Sequence, residues 1–313
     1  MNDAGIMKML EWPEQKVDVV LDSDTFNEID DQYALAYMLR STEKLNVEAI
    51  YAAPFFRPVP PFAPVRVPKS VSPKDGMEKS YQEIMNILTL MGQETYKKAV
   101  FRGSDRYLSS ETEPVLSDAA SDLADRAMKH TPDNPLYVVA IAAITNVASA
   151  LLLKPEIRER MVVIWLGGHS FEWPDTLEFN LAQDVAAARV LFSSGVPVVL
   201  LPCKGVVSAF TLSAPELDYW LKGKNQLCDY LVKATKGYAV ERDCLPTWKK
   251  PIWDVTAVAW LINRDFMCGR YEPSPIPTYD YHYAFNRERH PIRYIYHINC
   301  DALFEDLFRK LTQ

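Results

Sequence analysis

Cysteine is scarce and scattered in this chain of 313 residues. The chain has five cysteines, and none of them forms a C-x-x-C pair. An odd number at wide spacing argues against both a disulfide framework and a thiolate zinc site. We therefore expect reduced thiols in a cytoplasmic protein. The five are Cys203, Cys228, Cys244, Cys268 and Cys300.

Uninterrupted apolar runs and an excess of positive charge are also missing. The first fifteen residues contain no apolar core of a secretory signal, which agrees with a cytoplasmic location. The long apolar run 136–153 is broken by Thr145, Asn146 and Ser149, so it predicts a strand, a turn and a helix rather than a membrane span. The formal net charge of -7 disfavours nucleic acid as a partner. We expect neither membrane nor nucleic-acid binding.

What the chain does have is an alternation of buried strands and helices. Five short apolar runs predict strands, at 17–21, 47–52, 136–141, 161–166 and 196–201. Helices are predicted at 30–40, 79–91, 117–130, 147–153, 184–193 and 301–311. This alternation predicts an α/β fold with a mostly parallel central sheet and helices on both faces. We expect one domain over residues 1–313.

Two segments interrupt the alternation. Residues 54–73 hold seven prolines, and 54–75 is predicted to be a long loop or lid. Residues 271–297 are crowded with Tyr, His, Pro and Arg and show no clear period. We interpret this stretch as an irregular, folded excursion near the site.

An acidic segment follows the first predicted strand. Asp22 and Asp24 are two apart on an extended chain and should point the same way. Asp30 and Asp31 should lie in the first turn of a helix, where the helix dipole favours negative charge. Four carboxylates at one end of a strand would repel one another. A divalent cation would relieve that repulsion and take the oxygens as ligands.

Three other interpretations compete for this segment. Solvated aspartates at a helix N-terminus would account for one such residue more easily than for four. An EF-hand loop fails because its fifth position is Phe26 and its twelfth is Tyr33. A phosphatase of the haloacid dehalogenase type shares the D-x-D strand end, but the threonine it requires would fall at Phe26. That phosphatase is kept as a minor alternative.

The order of several motifs resembles the inosine–uridine-preferring nucleoside hydrolase family. The acidic segment reads D-S-D-T-F-N-E-I-D-D, similar to the opening D-x-D-x-G-x-D-D of that family. Further matches are I-T-N-V-A at 144–148, G-G at 167–168, E-F-N at 178–180, D-V-A-A at 184–187 and W-D-V-T-A-V-A at 253–259. They follow the order and spacing of the family from about residue 17 to 262. The resemblance implies the Rossmann-like nucleoside hydrolase fold.

The resemblance also implies roles for individual residues. It implies a Ca²⁺ ion held by Asp24, Asp31, Asp254 and a backbone carbonyl at Thr145 or the residue before it. Asp24 would also be the catalytic base. The other implied site residues are Asp30, Glu178 and Asn180 on the ribose, His169, Trp173 and Trp253 along the pocket, and Asp22 orienting the loop from behind.

Departures from the family pattern leave the chemistry of the leaving group open. Two extra residues separate Asp24 from Asp30, and Trp253 stands where purine-handling members have the histidine that protonates the base. The 271–297 stretch offers four candidates for a replacement acid: Tyr281, His282, Arg287 and His290.

The resemblance implies a calcium-dependent hydrolase of N-glycosidic bonds in ribonucleosides or related ribosides, in which a metal-activated water attacks the anomeric carbon. A metal-dependent ribose- or nucleoside-binding protein without turnover is the alternative. The expected partner is a small riboside, and the resemblance also implies a homo-oligomer.

Overall fold

A computed structural model describes residues 1–56, 69–242 and 244–313. Most of the predicted proline-rich loop, residues 57–68, therefore lies outside the described residues. The part of that segment that is described includes the start of a helix at Pro73, capped by the side chain of Ser72, which accepts a hydrogen bond from the Asp75 N–H. The helix predicted to begin at 79 thus begins earlier, because a serine cap followed by proline starts a helix efficiently.

The centre of the fold is an eight-stranded sheet. The strands in chain order are β1 (Val17–Ser23), β2 (Leu45–Ala52), β3 (Val100–Arg102), β4 (Leu136–Ala140), β5 (Met161–Leu166), β6 (Val198–Leu201), β7 (Thr211–Ser213), β8 (Lys249–Pro251), β9 (Met267–Pro273), β10 (Ile276–Pro277), β11 (Tyr283–Ala284) and β12 (Pro291–Ile298). The large sheet has the order β3-β2-β1-β4-β5-β6-β12-β9, and all its neighbours are parallel except β9 beside β12. β7 with β8 and β10 with β11 form two small antiparallel pairs.

Helices cover both faces of the large sheet. They are α1 (Asp3–Met9), α2 (Asp30–Leu39), α3 (Pro73–Leu90), α4 (Asp118–Ala127), α5 (Thr145–Leu153), α6 (Phe179–Gln183), α7 (Val185–Ser193), α8 (Ala214–Trp220), α9 (Gln226–Glu241), α10 (Val255–Ile262) and α11 (Cys300–Leu311). Successive side chains along β1 point to opposite faces of the sheet. Val19 and Leu21 belong to the core under α2, α3, α10 and α11. Val20 belongs to the core under α4, α5 and α7. A strand buried on both faces needs apolar residues at every position, which is why β1, β4, β5 and β6 appear as continuous apolar runs.

The predicted α/β fold with a mostly parallel sheet is confirmed by this topology. The five predicted strands all exist, and β5 has the predicted limits. None of the described helices is both long and apolar enough to cross a membrane.

The prediction of an irregular stretch at 271–297 is wrong at both ends. The end of β9 and most of β12 fall inside it, and both strands belong to the large sheet. Arg293, Tyr296 and His297 are polar or exposed, whereas Ile292 and Tyr294 are buried. The polar side chains hid the period of two that is typical of a half-buried strand. Between the two strands the chain forms only the short β10–β11 pair.

This topology decides where a site can form. The loops that follow β1, β4, β5 and β6 all emerge at the same edge of the sheet, because these strands are parallel neighbours. In open parallel sheets ligands bind at that edge.

Candidate active site

Three aspartates from distant parts of the chain meet at this edge. Asp30, Asp31 and Asp254 each place one carboxylate oxygen within 4.8 Å of the others, and all three side chains are buried. They meet because α10, which follows Asp254, packs against α2, which begins at Asp30. The Asp254 N–H donates to Asp30 Oδ2 at 3.3 Å. Asp24, at the end of β1, lines the same cavity and is equally buried.

The cluster is electrostatically unfavourable without a cation. Burial, together with the neighbouring carboxylates, raises the pKa of Asp24 and of Asp254 well above the ordinary range of an aspartate. The same causes raise the pKa of Asp31 to about 8. Asp24 Oδ2 and Asp30 Oδ1 are buried and accept no hydrogen bond from the described residues. Oxygen ligands that are crowded, buried and without partners fit a hard divalent cation.

Asp22 lies behind the cluster rather than in it. Its Oδ1 accepts a hydrogen bond of 2.8 Å from Asn146 Nδ2, and the Asn146 Oδ1 in turn accepts from the Ser104 N–H and hydroxyl. Asp22 is not among the residues that line the cavity. Its contacts therefore tie β1 to α5 and to the loop after β3, in keeping with the predicted orienting role.

Thr145 does not line the cavity either. Its hydroxyl donates to Asp184 Oδ2 at 2.7 Å, and Asp184 also accepts the N–H groups of Leu108 and Ala187. The hydroxyl of Thr145 therefore helps to hold the loop before α7. The predicted metal ligand is a backbone carbonyl at this position, and that role stays a prediction.

Glu178 and Asn180 line the cavity and also organise it. Glu178 caps α6: its carboxylate accepts the N–H groups of Asn180, Leu181 and Gly168 at 2.8 to 2.9 Å. Asn180 Nδ2 donates to the Leu166 carbonyl at 3.0 Å. Burial raises the pKa of Glu178 to about 7, although the three N–H donors favour its charged form. The family resemblance predicted these residues as sugar ligands, and that role stays a prediction.

The two predicted tryptophans have different positions. Trp253 lines the cavity, and its indole N–H donates to Ser208 Oγ at 2.9 Å. Trp173 is 42% exposed and does not line the cavity; its ring meets His169 edge-on at 6.1 Å. His169 itself is 2% exposed and lines the cavity.

Comparisons with known proteins identify the family. A sequence profile described as inosine-uridine preferring nucleoside hydrolase matches residues 60–301. The chain belongs to this family. The matched span leaves out the acidic segment at 22–31, whose place in the site rests on the geometry above.

Curated relatives match the chain over part of their length. The pyrimidine-specific ribonucleoside hydrolase RihB of Escherichia coli (strain HS) is 32% identical over 161 residues, which are 49% of this chain and 51% of the relative. The pyrimidine-specific ribonucleoside hydrolase RihA of Citrobacter koseri is 33% identical over 84 residues, 26% of this chain and 27% of the relative. The chain thus spans between about a quarter and a half of the length of these relatives.

Solved structures share the fold over nearly the whole chain. The plant nucleoside hydrolase PpNRh1 has a TM-score of 0.74 at 17% identity, covering 95% of this chain and 99% of its own. The purine-preferring ribonucleoside hydrolase from Gardnerella vaginalis has a TM-score of 0.70 at 17% identity, covering 94% and 98%.

This nucleoside hydrolase family member has an ion pair that sequence reasoning missed. Glu28 lies in the loop that is two residues longer than the family pattern, and Lys250 Nζ is 2.5 Å from its Oε2 and 3.6 Å from Asp30 Oδ1. The side chain of Lys250 is 3% exposed, and its ammonium lies 3.7 Å from the ring centroid of Trp253. Burial alone would raise the pKa of Glu28, but the charges of Lys250 and Arg242 outweigh it and hold that pKa below its ordinary value.

The acids proposed for the leaving group are not in the cavity. Among the described residues that line it, neither Tyr281, His282, Arg287 nor His290 appears. The wall formed by the loops after β5 and β6 instead contributes His169, Cys203 and Lys204.

Proposed function

We propose that this protein hydrolyses the N-glycosidic bond of a riboside at a calcium site formed by Asp24, Asp31 and Asp254. The observation that carries the proposal is the convergence of Asp30, Asp31 and Asp254, with Asp24 lining the same cavity, at the ligand-binding edge of a nucleoside hydrolase fold. The cavity measures about 380 Å³, enough for a nucleoside-sized ligand.

Each carboxylate has a different role in the proposed reaction. A bound Ca²⁺ would orient the ribose hydroxyls and make the neighbouring water more acidic. Asp24, whose Oδ2 has no partner among the described residues, accepts the proton of the attacking water. The water oxygen bonds to the anomeric carbon as the bond to the leaving group breaks, through an oxocarbenium-like state, and the leaving group departs with the bonding electron pair and takes up a proton from solvent. Asp30 accepts a hydrogen bond from a ribose hydroxyl, and Glu178 and Asn180 contact the rest of the sugar.

The relatives suggest which substrates to test first. RihA and RihB are named as pyrimidine-specific, and one structural neighbour is named as purine-preferring. Uridine and cytidine come first for this chain, since Trp253 replaces the histidine that protonates purines in the family. The cytoplasmic location, the absence of nucleic-acid binding and the homo-oligomer remain predictions.

A riboside-binding protein without turnover is the second candidate. Trp253 favours it, because an indole cannot protonate a leaving base. The haloacid dehalogenase-type phosphatase gains no support from the family match.

The decisive test is reducing-sugar release from uridine, cytidine, inosine and p-nitrophenyl riboside, with chelator and then with added CaCl₂ or MgCl₂. We expect turnover in calcium, its loss in chelator, and a fall in kcat of about 10²- to 10⁴-fold in Asp24→Asn. Asp18→Asn is the matched control, because Asp18 lies at the opposite end of β1 and accepts a hydrogen bond from Asn46 there.

Two results would contradict the proposal. Retained activity in Asp24→Asn would show that another group is the base. No turnover of any riboside, together with a rise in melting temperature on adding ribose in calcium, would identify a binding protein instead.

A further inference from the structure

The loops after β5 and β6 are joined into one wall of the cavity. The Cys203 N–H donates to the Gly168 carbonyl at 2.8 Å, and the Ser170 N–H donates to the Lys204 carbonyl at 2.9 Å. The Lys204 N–H donates to His169 Nδ1 at 3.3 Å. These bonds fix the backbone beneath both His169 and Lys204, and both side chains line the cavity. Neither residue belongs to the acidic cluster.

His169 lines the cavity, and its ring carries a hydrogen-bond donor. Because Nδ1 accepts the Lys204 N–H, the neutral ring carries its proton on Nε2. Nε2 is buried and makes no hydrogen bond of good geometry within the described residues, although backbone groups of Gly168 and Leu177 lie near the ring. Burial and the charge of Lys204 lower the pKa of His169 to about 4, so the ring stays neutral near pH 7. An unpaired buried donor is costly, which points to an acceptor on the ligand.

Lys204 is an exposed residue that adds a positive charge to the same wall. The ion pairs within the described residues include Lys79, Lys236 and Lys250, but none includes Lys204. Its ammonium lies 5.6 Å from the ring centroid of Trp173, which also flanks His169. The wall therefore offers two donors, one of them charged, beside an aromatic ring.

We propose that His169 and Lys204 form a subsite for an anionic substituent on the riboside, either a phosphate or a carboxylate. The proposal rests on the riboside hydrolase function above and narrows its substrate class. A phosphate on the sugar and a carboxylate on the leaving group present the same charged acceptor oxygens.

The experiment compares neutral and anionic members of matched pairs in calcium. Binding is measured by calorimetry for ribose against ribose 5-phosphate and for uridine against orotidine. Turnover is measured as kcat/KM for uridine, uridine 5′-phosphate and orotidine. We expect at least one anionic compound to be preferred over its neutral parent about tenfold or more, as for a hydrogen bond to a charged group.

Variants test whether His169 and Lys204 cause the preference for an anionic ligand. In Lys204→Met the preference should fall to within about twofold, and Lys204→Arg should restore part of it. His169→Gln, which keeps a donor but moves it, should reduce the preference partly. Lys233→Met is the matched control, because Lys233 is exposed on α9 and should leave the preference unchanged.

Each outcome decides something. Preference for the phosphate compounds places the anion on the sugar, and preference for orotidine places it on the leaving group. No preference in either pair, or a preference that survives Lys204→Met, overturns the subsite. Tighter binding of the anion that depends on Lys204, without turnover of any riboside, supports the subsite and refutes the hydrolase. Turnover of uridine without any anion preference supports the hydrolase and refutes the subsite.

Discussion

At the scale of single residues, the site depends on charges that are buried and only partly paired. Asp30, Asp31 and Asp254 are crowded together, and Asp30 also has a cation nearby in Lys250. Lys250 also pairs with Glu28, so one buried ammonium serves two carboxylates. Removing one partner of a buried ion pair leaves the other charge buried and uncompensated. The resulting loss of stability is usually larger than the stability that the intact pair contributes.

Lys250→Met should therefore destabilise the protein strongly. We expect the free energy of unfolding to fall by about 3 kcal/mol, because Asp30 would lose its nearby cation and Glu28 would be left with the longer ion pair to Arg242, at 3.6 Å. The double variant Glu28→Gln with Lys250→Met should recover part of the loss. Chemical denaturation of the three proteins measures both effects. Lys236→Met is the control: it removes an ion pair with Asp218 that is more than one-third exposed on both sides, and should cost less than about 1 kcal/mol. Equal losses in the two lysine variants would contradict this account.

At the scale of elements, the wall between β5 and β6 depends on a backbone shape that only glycine tolerates well. Gly205 has a φ of +90°, and an added Cβ would lie 2.6 Å from Ser170 Oγ. Ser170 is the residue whose N–H bonds to the Lys204 carbonyl. A side chain at 205 would thus push the two loops apart where they hold Lys204 and His169.

Gly205→Ala should destabilise the fold by about 1 to 2 kcal/mol, through both strain and the clash. Gly237→Ala is the matched control, because Gly237 lies within α9 and an added Cβ there meets nothing within 4 Å. It should stabilise the protein by up to about 1 kcal/mol, since alanine is the better helix former. Thermal unfolding of the two variants measures the difference. A Gly205→Ala protein as stable as the parent would show that the loops separate freely.

At the scale of the whole molecule, the buried carboxylates link stability to pH. Burial raises the pKa of Asp22 and Glu178 to about 7 and that of Asp31 to about 8. Between their ordinary values near 4 and these raised values, the folded state binds more protons than the unfolded state. The stability of metal-free protein must therefore fall as pH rises through this window. His169, with a lowered pKa of about 4, acts in the opposite direction between pH 4 and its ordinary value of 6.5.

The fall should be clearest between pH 6.5 and 8, where His169 no longer contributes. There we expect chelator-treated protein to lose stability on the order of 1 kcal/mol per pH unit. Calcium should raise the melting temperature more at pH 8 than at pH 5, because the ligands must be deprotonated to bind it. Thermal scans at both pH values, with chelator and with calcium, test this. A calcium effect that is equal at both would argue against the carboxylate site.

Local pattern was enough to predict much of this protein. Apolar runs that are buried on both faces predicted β1, β2, β4, β5 and β6, and the spacing of Asp22, Asp24, Asp30 and Asp31 predicted an acidic strand end. These are properties of a few consecutive residues, so they can be predicted without knowing how the rest of the chain folds. The β12 strand was missed because its Arg, Tyr and His side chains obscure the alternation.

Only the tertiary structure decided which of those residues share a cavity. Glu28 and Lys250 are separated by 222 positions, and no local rule pairs them. Trp173 was predicted to line the pocket, but it does not line the cavity; its ring contacts His169 instead. Asp254 meets Asp31, and Lys204 joins His169, because neighbouring parallel strands and packed helices bring distant loops to one edge. Residue type and local spacing determined what chemistry this chain can perform, and packing determined where those groups meet, since such contacts depend on the position of every element between them.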